Sequence, residues 1–223
     1  MILQRVAIAG ALVARRDRRA SEKRPTARRN RIGPRDRGRR MPLAVFARAE
    51  AAPGFMYELD KGVIVVVDVP GMPHSRIIRY LRAELEFYAR SHPGRINHVA
   101  GSLDAVVRMP ALQSERHPDI TVYLTPPPRQ NEQPWDEWVV DIAIEVVSKE
   151  SRRRDYEIKP AEYLAAGVRE YWIIDPLTRS ATIHRRIGDQ WSIRRLGPRG
   201  SLQSRLLPGF HVKLPALLSA GEA

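Results

Sequence analysis

The sequence contains no cysteine. That rules out disulfide staples, thiolate metal sites and cysteine nucleophiles, and it fits a reducing compartment, so the expected location is cytoplasmic. Long apolar runs are missing too. The longest near the start, Val6 to Ala14, has nine residues, against the ~20 that a membrane-spanning helix requires, so no membrane partner is expected. There is no G-x-S-x-G, no Walker phosphate loop, no H-E-x-x-H and no G-x-G-x-x-G. The six histidines are scattered without metal-ligand spacing. Aromatic residues make up only 7% of the chain and form no RNA-recognition pattern.

What is present is enough for one domain and a tail. The chain has 223 residues, of which 43% are hydrophobic, so a sizeable core is feasible. The net charge of +13 resembles a nucleic-acid footprint until it is divided along the chain. Residues 1–40 hold fourteen Arg or Lys against Asp17, Glu22 and Asp36, a balance of +11. The remainder, with 24 basic and 22 acidic residues, is nearly neutral and is not a basic DNA-binding module on charge alone.

Residues 15–40 carry charge, proline and glycine with almost nothing to bury, and are expected to be disordered. The division predicted is a basic tail over 1–45 and a folded domain over 46–223. Three readings of the tail stand open: an electrostatic arm gripping phosphates, an export or transit leader, or a stretch upstream of the true start. Met41 opens the first domain-like sequence, which favours the last.

Beyond the tail, Phe55–Leu59 and Val63–Val67 around Asp60-Lys61-Gly62 predict a β-hairpin. Pro70-Gly71-Met72-Pro73 breaks the pattern. Ile77, Ile78, Leu81, Leu85 and Tyr88 then recur at helical spacing and predict a helix over Ser75–Arg90, ended by His92-Pro93-Gly94. Strands are expected over Ser102–Met109 and Ile120–Leu124, with a loop over 125–137. Trp138–Val147 reads as a central strand apolar on both faces. A helix is predicted over Asp155–Ala166, capped by Gly167, with Pro160 either starting its regular part or distorting its first turn. Tyr171–Ile174 reads as a buried strand, Thr182–Arg186 and Gln190–Arg194 as a second hairpin, and Leu206–Val212 as an edge strand and tail. This order of elements indicates an α/β fold with a mixed central sheet flanked by helices.

Glu145 is the least ordinary residue, a carboxylate in the middle of an apolar strand, where burial is costly without a cation, a metal or good donors. Asp119 stands at the head of a strand behind Pro118. Brought together on adjacent strands, the two would make a hard oxygen site suited to Mg²⁺ or Mn²⁺. Such an ion polarises a phosphodiester and lowers the pKa of bound water. A buried salt bridge to an arginine explains Glu145 equally well, and Pro-Asp pairs are common in turns.

The wider pattern decides between these readings. Pro118-Asp119, Glu145-Val146-Val147-Ser148, then Asp155, Lys159 and Tyr163, then Gly167-Val168-Arg169-Glu170-Tyr171-Trp172-Ile173-Ile174-Asp175-Pro176 together resemble the Uma-type putative restriction endonucleases of bacteria. Tyr57-Glu58-Leu59 and His74 extend the resemblance upstream, so that it covers roughly residues 50–215. It implies a restriction-endonuclease-like fold of the PD-(D/E)xK superfamily and a metal-dependent endonuclease acting on DNA as a homodimer. The usual E-x-K lysine falls at position 147, which is Val147 here. Strand alternation returns a lysine at Lys149, whereas the resemblance points to Lys159 on the following helix. Asp119 and Glu145 are then the metal ligands, with Lys159 stabilising phosphate charge or orienting the attacking water. Glu58 is an extra carboxylate near the metal or an exposed strand residue. His74 touches the phosphate or, the simpler reading, caps the helix that follows. Tyr163 packs beside Lys159, one helical turn away. Tyr171 and Trp172 are core, and Asp175 is a turn former. Two other functions remain open: a catalytically inactive nucleic-acid-binding or regulatory protein on the same scaffold, and a phosphodiesterase for RNA or a small nucleotide.

Overall fold

The computed structural model describes residues 31–67, 71–101, 104–128 and 137–222. Two short strands, β1 (Arg31–Ile32) and β2 (Glu50–Ala51), pair in parallel around a one-turn helix α1 (Leu43–Phe46). The predicted hairpin follows as β3 (Met56–Asp60) and β4 (Val63–Val67). Lys61 and Gly62 both adopt positive φ at its turn, which is why a glycine is needed there. Helix α2 (Met72–Ser91) begins earlier than expected, because Pro73 lies in its first turn, where a missing N–H costs nothing.

Three short strands come next, β5 (His98–Gly101), β6 (Val107–Met109) and β7 (Ser114–Arg116). The long strand expected over Ser102–Met109 is therefore cut to its last three residues, and positions 102–103 lie outside the described residues. Strands β8 (Ile120–Tyr123) and β9 (Ile142–Val146) lead to helix α3 (Lys159–Ala165), then to β10 (Glu170–Asp175), β11 (Ser180–Ile187) and β12 (Gln190–Leu196). A small hairpin, β13 (Ser201–Gln203) with β14 (His211–Lys213), precedes the terminal helix α4 (Leu214–Glu222).

The central sheet has six strands in the order β12-β11-β10-β9-β8-β5. Its one parallel pair is β9 with β10, and α3 lies in the crossover between them. Alternation along β9 sends Ile142, Ile144 and Val146 to one face, where they pack with Ile77, Leu81 and Leu85 of α2 and with Leu214 and Leu217 of α4. Ala143 and Val147 face the opposite side with Tyr163, Tyr171 and Ile173. Helix α4 was not anticipated from the sequence. It lies so close to α2 that a Cβ on Gly221 would stand 3.0 Å from the Ile77 side chain.

A second sheet, β4-β3-β7-β6, encloses its own core of Tyr57, Leu59, Ile64 and Val66. Ile32, Met41, Leu43 and Phe46 belong to that core. The expectation of disorder over 15–40 therefore fails for residues 31–40, and a tail running to residue 45 overlaps folded structure. Gly38 N–H donates to Ile64 O at 2.9 Å, and Met41 N–H donates to Gly62 O at 2.8 Å. Ile32, Met41, Leu43 and Phe46 dock the stretch together with this backbone pairing, while Arg31, Arg35, Arg37, Arg39 and Arg40 remain exposed around them. Residues 1–30 lie outside the described residues.

Candidate active site

The site is built where the two sheets meet α2 and α3. Asp119 stands one residue before β8. Because Ile120 pairs with Ile144, the next step in register sets Asp119 across from Glu145 on β9. Val146 N–H donates to Asp119 Oδ2 at 2.7 Å, which fixes that carboxylate against the neighbouring strand. Glu145 points to the α3 side, where Tyr163 O–H donates to its Oε1 at 2.6 Å and Lys159 Nζ lies 2.9 Å from the same oxygen.

Pro160 explains how α3 reaches that position. It cannot donate the usual bond to the carbonyl four residues back, and its ring crowds that carbonyl. The chain responds with a π turn over Arg154–Ile158, closed by Lys159 N–H donating to Arg154 O. Such turns recur at functional sites. Asp155 and Lys159, one turn apart, meet at 2.9 Å, and Asp155 accepts no well-aligned hydrogen bond from any other described group. Both alternatives open for Pro160 are met, since the regular helix begins beside it at Lys159 and the turn before it is distorted; nothing in the sequence indicates that this turn is π.

Glu58 on β3 and His74 in the first turn of α2 complete the group. Glu58 Oε1 lies 3.9 Å from Lys159 Nζ, Glu58 Oε2 lies 3.3 Å from Arg116 Nη1, and the carboxylate is buried rather than exposed on its strand. His74 does not cap α2, whose N-cap is Gly71 and has no side-chain capping bond. Its Nε2 reaches the Val146 carbonyl at 2.7 Å and Asp119 Oδ2 at 3.3 Å. Glu58, His74, Asp119, Glu145 and Lys159 all line one cavity of about 430 Å³. Lys149 does not: β9 ends at Val146, the chain turns, and Lys149 is exposed away from the cavity. Strand alternation cannot be extended past the end of the strand.

Electrostatics separate the buried carboxylates. Glu145 is pushed up to about 8, first by burial and then by Asp155, Asp119 and Glu58, with Lys159 opposing. Burial also acts on Glu58, but Lys159 and Arg116 hold it below the ordinary carboxylate value. Burial alone would lower Lys159; Glu145, Asp155 and Glu58 override it and keep the ammonium charged. Burial and the adjacent Glu145 keep the Tyr163 hydroxyl protonated. His74 is raised despite its burial, because Asp119 favours the imidazolium.

Among the described residues, no group of three or more histidine, aspartate or glutamate side chains is placed to hold a metal ion by itself. Mg²⁺ asks for less, since it keeps several waters and is commonly bound through one or two carboxylates. The donors here fit it. They are hard oxygens, Val146 and His74 meet Asp119 at Oδ2 while Tyr163 and Lys159 meet Glu145 at Oε1, and the carboxylate surplus that raises Glu145 is what a divalent cation relieves.

The family model described as "Putative restriction endonuclease" matches residues 43–217. The chain belongs to this family, named Uma2. A solved structure, described as a putative nuclease from Anabaena variabilis ATCC 29413, superposes with a TM-score of 0.66 at 19% identity, covering 81% of this chain and 99% of the other. That likeness shows the fold, which is restriction-endonuclease-like. No curated protein matches the chain. In Uma2 terms, the segment from Asp119 to Pro176 that carried the resemblance is also the segment that builds the cavity wall around Glu145.

Arg154, which lines the cavity, and Arg116 and Glu162, which lie behind Glu58, have no signal in the sequence reading. Arg116 is fully buried and is held by Glu162 at 2.7 and 2.9 Å, Glu58 at 3.3 Å and Asp60 at 3.2 Å. An arginine is ordinarily exposed, so nothing local marks it. Glu162 belongs to the same network, and only its place one position before Tyr163 hints at a buried face. Arg154 was hidden within the run Arg152-Arg153-Arg154. The pair Asp155 and Lys159, by contrast, has the i,i+4 spacing of a readable helix contact.

Proposed function

We propose that this Uma2 protein is a metal-dependent nuclease that hydrolyses phosphodiester bonds of DNA. The observation that carries this reading is the meeting of Asp119 and Glu145 across adjacent strands, with Lys159 Nζ 2.9 Å from Glu145, in a single cavity. Asp119 and Glu145 would hold Mg²⁺ or Mn²⁺. A bound ion of this kind supplies Lewis-acid polarisation of the phosphate and a more acidic water. Lys159 keeps its proton and stabilises negative charge that grows on the phosphate as water attacks. Tyr163 fixes the Glu145 rotamer by donating to Oε1, and His74 and the Val146 amide fix Asp119. Cutting both strands of a duplex calls for two such sites, hence a homodimer.

One observation favours a second reading, a nucleic-acid-binding protein without catalysis. Val147 occupies the usual lysine position, and Lys159 is already held by both Glu145 and Asp155. A supercoiled-plasmid nicking assay on the full chain separates the two. Nicking with Mg²⁺ or Mn²⁺, absent with EDTA and reduced at least about 100-fold by Glu145→Gln, is the expected result. DNA binding indifferent to metal and to Glu145→Gln, without nicking, would establish the second reading instead.

A further inference from the structure

We infer that Arg154 is a phosphate-binding residue of this site, gripping non-bridging oxygens of the phosphodiester that enters the cavity. The inference rests on the nuclease reading above and adds a residue and a role to it. Arg154 opens the π turn that carries Lys159 and lines the same cavity. Its Nε is buried and has no hydrogen-bond partner. A buried N–H without an acceptor is unfavourable and marks a contact left for something else.

The neighbouring cations are all engaged. Lys159 is shared by Glu145 and Asp155, Arg82 pairs with Asp104 at 3.5 Å, and His117 pairs with Glu115 at 3.4 Å. The other members of the arginine run are also committed. Arg152 pairs with Asp175, and Arg153 pairs with Glu157 on the exposed side. Among the described residues Arg154 forms no ion pair, although four carboxylates surround the cavity it lines. A guanidinium presents a planar fork of N–H groups that matches two phosphate oxygens at once. An anionic substrate entering a cavity rich in carboxylates needs such a cation, and Lys159 is not available to meet it alone.

The test uses the full chain with Arg154→Met and Arg154→Lys beside the wild type. Binding of a fluorescein-labelled duplex is followed in Ca²⁺ over a range of salt, and plasmid nicking is followed in Mg²⁺. Arg154→Met is expected to weaken binding roughly 10- to 100-fold and to lower the slope of log K against log salt by about one. Arg154→Lys should restore the slope while recovering only part of the affinity, because the charge returns without the fork. A merely structural arginine would leave the salt slope unchanged. Wild-type nicking together with equal binding, slope and nicking in Arg154→Met overturns this inference and leaves the nuclease reading standing. A wild-type protein that neither binds nor nicks DNA with any of these metals overturns both.

Discussion

Glu58 and Glu145 are the same residue type, both buried, and both beside Lys159. Their acidities nevertheless move in opposite directions, Glu58 down and Glu145 up to about 8. The cause is what each finds around it. Glu58 has Arg116 on one oxygen, the His117 amide at 3.3 Å on the other, and Lys159 beyond. Glu145 shares its one cation with Asp155 and has further carboxylates at its back. Arg116 sets several N–H groups against the carboxylates it meets, whereas the single Lys159 ammonium is divided between Glu145 and Asp155, and among the described residues no other group bonds the Asp155 carboxylate. Desolvation makes such a divided cluster costly, so the Lys159 cluster reads as a site and the Arg116 cluster as structure.

The largest expected effect is on the Arg116 side. Arg116→Met takes from buried Glu162 the cation that meets both its oxygens, and from Glu58 one of the two cations beside it, and should lower unfolding stability by about 3–5 kcal/mol in urea titrations. Adding Glu162→Leu should recover much of that loss, because an apolar pair tolerates burial that a lone carboxylate does not. If Arg116→Met unfolded at the same urea concentration as the wild type, the contrast between the two clusters would be lost.

A third kind of buried ionisable group sharpens the comparison with a smaller effect. Among the described residues His184 has no carboxylate partner, and it does not line the cavity; it stacks on Tyr171 at 5.4 Å and meets Trp191 edge-on at 5.8 Å. Burial, aided by Arg195, depresses its pKa and keeps the ring neutral. Below about 6.5 the unfolded chain takes up a proton that the folded chain refuses. Its contribution to stability is therefore complete above that pH and is lost as pH falls. Urea unfolding at pH 5 and pH 7.5 should show a shallower acid loss in His184→Phe than in the wild type, and equal losses would sink the assignment.

Much of this architecture was legible in the sequence for identifiable reasons. The hairpin around Gly62, the apolar spacing of α2 and the carboxylate inside the apolar strand at Glu145 are local patterns that packing leaves unaltered. The order of motifs from Asp119 to Pro176 supplied Lys159, which a solvated helix-face reading would have missed. What stayed hidden depends on tertiary contact. Ile32, Met41 and Leu43 are too widely spaced among arginines to register as core until the edge of β4 is there to receive them. Helix α4 is short and carries Pro215 and Gly221, poor helix residues in isolation, and is held in place by α2. Arg116 and Glu162 are 46 positions apart, so their pairing has no local signature.

The central claim is that the carboxylate surplus beside Lys159 is a divalent-cation site. The most direct test is thermal unfolding of the full chain at neutral pH with Mg²⁺ or Mn²⁺ titrated from micromolar to tens of millimolar, beside Glu145→Gln. Because binding to the folded state alone stabilises it by mass action, the wild-type melting temperature should rise with metal concentration. The Glu145→Gln melting temperature should stay level. Equal behaviour of the two proteins, whether both respond or neither does, would contradict the assignment of Glu145 to a metal.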